Sequence, residues 1–454
     1  MVNIFFNIGG FLVAIAILVA IHEYGHFWVA RTLGVKVLRF SIGFGKPLWK
    51  KVSAKDGVEY TISAIPLGGY VKMLDENEGE VASEDLPQAF NRQPLWKRSL
   101  IVLAGPVANF ILAIFLFTVL NMWGTPGVTP EVGKMEASSI AAQAGVVEGD
   151  TLVSVDGREY RFWGQHDLHI YNQVIRGEDA RLLVRGIDDR QREVVLPLSI
   201  IPASDVGPGL LPRVLGLTRW RPEIPPIIGH IVEDSAATLG GMHVSDQVIS
   251  IDGQLIGDWV EFVAAVIDRP GDELRFLIER EGTRIELTVT PEAVTEGERT
   301  FGRVGVAPEF IGIPESRRVL ARDSLPQAVL NGIDETWLMS VLTLRMLGKM
   351  LVLEVSPKNI SGPITIAQYA GQTAQIGLQP FISFLAIISI SLGVLNLLPI
   401  PMLDGGHLLF YIGEAITRKP VSERVMVVGQ QFGLVLLLGL MCLAFYNDIF
   451  RLIG

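Results

Sequence analysis

In "VAIHEYGHFWVA" (residues 19–30), two histidines and a glutamate stand in the order His22-Glu23-x-x-His26. Positions i and i+4 of a helix share one face, so both imidazoles can reach one ion. Glu23 is then close enough to take a proton from a water that the ion activates. Hydrolysis is the chemistry such a set serves. The bland alternative, two buried structural histidines beside a stray glutamate, is weak because an unpaired carboxylate in an apolar helix is expensive. A catalytic zinc site needs a third protein ligand and one open position. The segment "NLLPIPMLDGGH" (396–407) offers Asp404 and His407. An Asp ligand makes a dication with one hydroxide formally neutral, which limits the cost of burying charge. His407 reads instead as an interfacial or structural histidine. Pro399 and Pro401 break the helix and remove backbone donors. Gly405-Gly406 permits a tight turn that aims Asp404 inward.

Elements that must position these residues are written in the hydropathy. Of 454 residues 49% are hydrophobic, and the mean hydropathy is +0.39. Four runs, Ile4–Val29, Leu100–Trp123, Leu378–Leu398 and Val425–Phe445, have the roughly 20 apolar residues that cross a bilayer. The first has no basic residue ahead of it and no small-residue cleavage site behind it, so it is not read as a removable signal. Six basic and no acidic residues lie between Arg31 and Lys51; Arg92, Lys97 and Arg98 precede the second run, and Arg418, Lys419 and Arg424 precede the fourth. Residues 125–374 instead hold 23 Lys/Arg against 35 Asp/Glu. Basic excess marks the cytoplasmic side, so both termini and the acidic middle are expected outside. The metal motif and Asp404 then share the cytoplasmic end of parallel spans, away from His166, His169, His230 and His243. Basic residues cluster only where topology explains them, so nucleic acid is no expected partner. The single cysteine, Cys442, excludes an internal disulfide framework and a cysteine-only metal site.

Residues 31–99 alternate apolar and polar residues with Gly43, Gly45, Gly68 and Gly69 as turn signals, predicting short β hairpins. "SIAAQAGVVEGDTLVSVDG" (139–157) and "SAATLGGMHVSDQVISIDG" (235–253) match at seven of nineteen positions, so two similar domains are expected. Their pattern resembles tandem PDZ domains, which bind extended peptides at a sheet edge; peptide binding and a bulky filter against substrates with large outside domains both stay open from the sequence. Residues 324–356 show helical periodicity interrupted by Arg345, Lys349 and Glu354, and read as an interfacial amphipathic helix rather than a fifth span. Pro357 and Gly362-Pro363 then break the chain. In the second span Asn109 reads as an interhelical hydrogen bond.

"HEYGH", "GFG" at 43–45, "IPLGGYVKML" at 65–74, "AGPVANF" at 104–110 and "NLLPIPMLDGGH" together resemble the site-2 protease family of intramembrane zinc metalloproteases. The resemblance covers essentially the whole chain. It implies a polytopic α-helical membrane protein, with four transmembrane helices and a membrane-associated β-hairpin region, plus two α+β PDZ-like domains. Five parts are expected: residues 1–124 and 378–454 as transmembrane pairs, 125–221 and 222–310 as PDZ-like domains, and 311–377 as linker and amphipathic helix. Carried over, His22, His26 and Asp404 hold one Zn2+ and Glu23 is the base. Asn396 falls where the family handles substrate, and Gly43 and Gly45 fall in its β-hairpin region; Pro399 and Pro401 join them as substrate-side candidates. The implied substrates are transmembrane segments of pre-trimmed single-span proteins, an anti-sigma factor and remnant signal peptides among them, in a bacterial inner membrane. Two other classes compete. A membrane-anchored PDZ scaffold with a relic site is disfavoured by the intact Glu23. A metal transporter would show repeated membrane halves, whereas here only the outside region repeats.

Overall fold

The computed structural model describes residues 2–77, 79–207, 209–296, 299–309, 312–356 and 360–453; Pro357 lies outside them. Four helices are long and apolar enough to cross a membrane: Phe5–Thr32, Leu95–Trp123, Leu378–Asn396 and Arg424–Arg451. These are the four expected runs. The second span is the centre of the bundle. It meets the first at Gly25, where an added Cβ would collide with the Ala104 carbonyl oxygen and lie 2.8 Å from the Ala108 Cβ. Glycine therefore brings the two backbones into contact. On its other side Ala113, Phe117 and Leu120 interlock with Ala386, Ile390 and Val394 of the third span. Ser389 Oγ also donates to the Asn109 carbonyl at 2.8 Å, the kind of polar link that joins helices in lipid.

The expected hairpin region is more folded than two strands. Val37–Val52 bends at Gly43 and Gly45, with φ of 91° and 85°, and Glu59–Met73 bends at Gly68. Each half then pairs separately, so residues 37–42 lie between 59–62 and 69–73, while 47–52 flank 59–63 on the far side. The result is a four-rung antiparallel sheet whose 69–73 edge has no further strand beside it among the described residues. Val37 and Val58 anchor it to Phe27 and Ala30 of the first helix and to Ile101 of the second span.

The chain enters and leaves the repeat region through a two-stranded stalk, Thr125–Val128 paired with Arg318–Ala321. Between them stand two four-stranded sheets with the same strand order, each over its own apolar core. The sequence repeat explains their likeness locally. Ser139 and Ser235 cap short helices by accepting from the Ala142 and Thr238 amides. Asp150 and Asp246 are fully buried and pair with Arg192 and Arg280. Asp156-Gly157 and Asp252-Gly253 both take positive φ, as a tight hairpin turn requires. Ser245 adopts the left-handed conformation of its counterpart Gly149, φ 73° against 84°, so the departure between copies leaves the turn intact.

The amphipathic helix is observed at Leu325–Leu351. Gly332 lets it lie against the second span, since a Cβ there would be 2.9 Å from the Ile114 carbonyl. Arg345 donates to Asn172 at 3.0 Å and Arg158 pairs with Asp334, tying the first repeat domain to this helix. Two helices, Pro363–Ile376 and Asp404–Thr417, occupy stretches read from sequence as breaks. Pro363 stands at the first helical position, where its missing N–H is harmless. Asp448 of the fourth span caps that helix from outside, accepting from the amides of Gly362, Ile364 and Thr365 at 2.8, 2.9 and 3.1 Å.

Candidate metal centre

His22 and His26 sit one helical turn apart and each is 9% exposed. Asp404, near the other end of the chain, begins the Asp404–Thr417 helix. It does not cap that helix: the cap position is Leu403 with no side-chain bond. Its Oδ2 is buried and makes no hydrogen bond of proper geometry among the described residues, although it stands 3.2 Å from His22 Nε2 and 3.5 Å from His26 Nε2. The two histidine Nε2 atoms are 3.3 Å apart. Three ligand-type atoms thus converge, with Asp404 Oδ2 left unpartnered, an arrangement that a cation between them would hold. The spacing is also specific. A tetrahedral ion with bonds of about 2.0–2.1 Å separates its donors by about 3.3–3.4 Å, and the three observed separations fall around that value. Among the described residues this is the one such convergence of three His, Cys, Asp or Glu side chains.

The second span forms the wall of the site. Ile101, Gly105 and Asn109 are spaced four residues apart, so they share one face of that helix. His26 Nδ1 bonds the Ile101 carbonyl at 2.8 Å, which leaves Nε2 free to ligate. Asn109 reaches His22 Nδ1 at 3.2 Å. Between them Gly105 leaves the room the imidazoles occupy: a Cβ there would collide with His26 Nε2 and lie 2.8 Å from His22 Cε1. The interhelical hydrogen bond read for Asn109 is observed, with His22 as its partner, but sequence reasoning missed Ile101 and Gly105; the signal was the Gly-x-x-x-Asn spacing within "AGPVANF".

Other candidates are distributed around this centre. Glu23 is half-buried, and an added Cβ on Gly69 would lie 2.9 Å from its Cγ, so the free 69–73 edge runs beside it. Gly405 and Gly406 act differently from the turn anticipated. They lie within the helix, and added Cβ atoms would strike the carbonyls of Leu397, Leu398 and Ile400, so their bareness lets the 397–403 loop fold over Asp404's helix. Asn396 ends the third span, half-buried. Pro399 is exposed, and Pro401 backs onto Gly433 of the fourth span. Gly43 and Gly45 form the bend of the sheet. His407 is not among the converging donors. His166 and His169 are engaged elsewhere, with the Glu159 carbonyl and Asp156. Asp404's helix is held to the second span by Arg98, which pairs with Glu414 at 2.6 Å and lies over the Tyr411 ring.

The family model for "Peptidase family M50" matches residues 10–440. The chain belongs to peptidase family M50. The M50 chain is 42% identical over 461 residues to the "Regulator of sigma-E protease RseP" of Escherichia coli (strain K12), each chain covered in full. It is 41% identical over 463 residues to the "Regulator of sigma E protease" of Salmonella typhi, again with full coverage of both. A "Putative zinc metalloprotease" of Vibrio cholerae is 39% identical over 460 residues, with the same coverage. Like other M50 peptidases, of the site-2 protease type, it is a zinc metalloprotease, and its four apolar helices fit an inner-membrane protein.

Proposed function

We propose that this peptidase cuts peptide bonds within transmembrane segments, using His22, His26 and Asp404 as zinc ligands and Glu23 as general base. The observation that carries this is the tetrahedral spacing of three donors from two membrane-side elements. Zinc, when bound, polarises the scissile carbonyl and acidifies the attacking water. Glu23, one residue from the first ligand, takes the proton and passes it to the departing amine. The Ile101 carbonyl holds the His26 ring, and the Arg98–Glu414 pair holds the helix that carries Asp404.

A peptide bond in a helix is already hydrogen-bonded and sterically shielded, so the substrate must unwind first. The free 69–73 edge supports where this happens: an extended segment adding to it as a further strand would pass beside Glu23. Gly43 and Gly45 shape the bend of that sheet, and Asn396, Pro399 and Pro401, at and just after the end of the third span, are the further substrate-side candidates. The basic loops orient the site toward the cytoplasm and put both termini and the repeat domains in the periplasm. Water then reaches a centre near the end of its helix rather than at mid-bilayer.

The relatives' names support a role in the sigma-E pathway; the substrate of this reading is a pre-trimmed single-span anti-sigma factor. The two repeat domains, residues 125–221 and 222–310, act as a PDZ-like pair that excludes substrates with large outside domains. Cleavage assays on a chain lacking residues 130–316, which spares the stalk strands, test this. Untrimmed substrates should then be cut; unchanged selectivity would reject the filter role.

A further inference from the structure

His22 and His26 both turn Nε2 toward the ion position, so each ring must carry its proton on Nδ1 when a metal is bound. His26 has an acceptor for that proton in the Ile101 carbonyl, 2.8 Å away. His22 Nδ1 faces instead the side-chain amide of Asn109, whose nitrogen is 3.2 Å from it. Asn109 is fully buried, and its Oδ1 has no hydrogen-bond partner among the described residues. A ligating His22 offers the Nε2 lone pair and carries its proton on Nδ1, so Asn109 must present its oxygen there. A carboxamide is nearly symmetric in shape, and turning it half a revolution exchanges a donor for an acceptor.

We propose that Asn109 is a positioning residue for His22: its side-chain oxygen accepts from Nδ1–H and so holds Nε2 toward the metal. The proposal rests on the ligand assignment made above. The fold holds Asn109 where it can do this. The Ser389 hydroxyl fixes its main chain at 2.8 Å, and Gly105, one turn away, keeps the two imidazoles within its reach. A hydrogen bond to the distal nitrogen of a ligating histidine both orients the ring and raises its basicity.

The test is zinc affinity, by chelator competition on the full-length chain in detergent, beside the melting temperature of the metal-free form. Asn109→Leu and Asn109→Ala should weaken zinc binding about 10–100-fold with the metal-free melting temperature held. Asn109→Asp, whose carboxylate can only accept, should stay within about threefold of wild type. Wild-type affinity in the Leu or Ala variant would overturn the proposal. So would an Asp variant as weak as Leu, or a loss of affinity tracking a loss of metal-free stability, since packing alone then explains the residue. If the Asp variant does not fold, Leu and Ala still decide by the first and last criteria. His22→Ala separates the two levels. Its binding zinc normally would sink the ligand assignment, whereas its losing zinc while Asn109→Leu keeps it would sink this inference alone.

Discussion

Replacing Gly105 by Ala puts one methyl group into the metal centre. The added carbon would collide with His26 Nε2 and would stand 2.6 Å from His26 Cε1 and 2.8 Å from His22 Cε1, where ordinary contact begins at 3.4 Å. The His26 ring must therefore retreat by at least about 0.8 Å, several times the roughly 0.2 Å tolerance on a metal–ligand distance. It has little room to do so. The His26 ring is held by the Ile101 carbonyl, and the first helix cannot back away without opening the Gly25 contact that joins it to the second span. Zinc affinity should fall at least 10–100-fold, or about 1.4–2.8 kcal/mol. The helix itself should not suffer, since Ala is favoured over Gly by about 1 kcal/mol in a helix interior. The assay is zinc stoichiometry and chelator competition on purified protein, beside cleavage of a single-span model substrate and thermal melting. Full zinc occupancy at wild-type affinity with wild-type turnover would refute the assigned geometry.

Other substitutions probe the fold away from the site and the support of the Asp404 helix. Burial pushes the Glu335 carboxyl up to about 7, with Asp334 and Asp323 reinforcing it. A raised carboxyl contributes stability when protonated, fully below its ordinary value of 4.5 and lost as pH rises through about 7. Glu335→Gln should therefore gain on the order of 2–3 kcal/mol over wild type at pH 8 and little at pH 4.5, as read by melting across pH; equal behaviour at both would reject it. Arg98→Ala should destabilise the Asp404 helix by about 1.5–3 kcal/mol and weaken zinc binding, and the exchange of Arg98 and Glu414 should restore part of both. Independence of zinc affinity from Arg98 would leave that residue no part in holding the site.

What the sequence revealed follows from which forces are local. The four spans were legible because each is an uninterrupted apolar run, and the motif histidines because one helical turn fixes their spacing. Asp404 was legible as an acidic candidate after a broken helix, and the structure brings it to the two imidazoles. Three features were not. The Pro363–Ile376 and Asp404–Thr417 helices were hidden because Pro363 and Gly405-Gly406 read as breaks, while one starts a helix and the others make room for a loop. The hairpin region showed its alternation but not that bends at Gly43, Gly45 and Gly68 turn two strands into four rungs. The wall of Ile101, Gly105 and Asn109 was hinted at only by the Gly-x-x-x-Asn spacing, because its meeting with the histidines depends on how two helices face each other.

The assignment of ligands and base stands or falls on one comparison. Wild type, Glu23→Gln and Asp404→Asn would be purified in detergent, bound zinc counted, and cleavage of a single-span substrate measured on each. Only wild type should cut. Glu23→Gln should retain one zinc while losing about 10²–10⁴-fold in turnover, and Asp404→Asn should bind zinc poorly. Equal cleavage by all three would contradict the assignment.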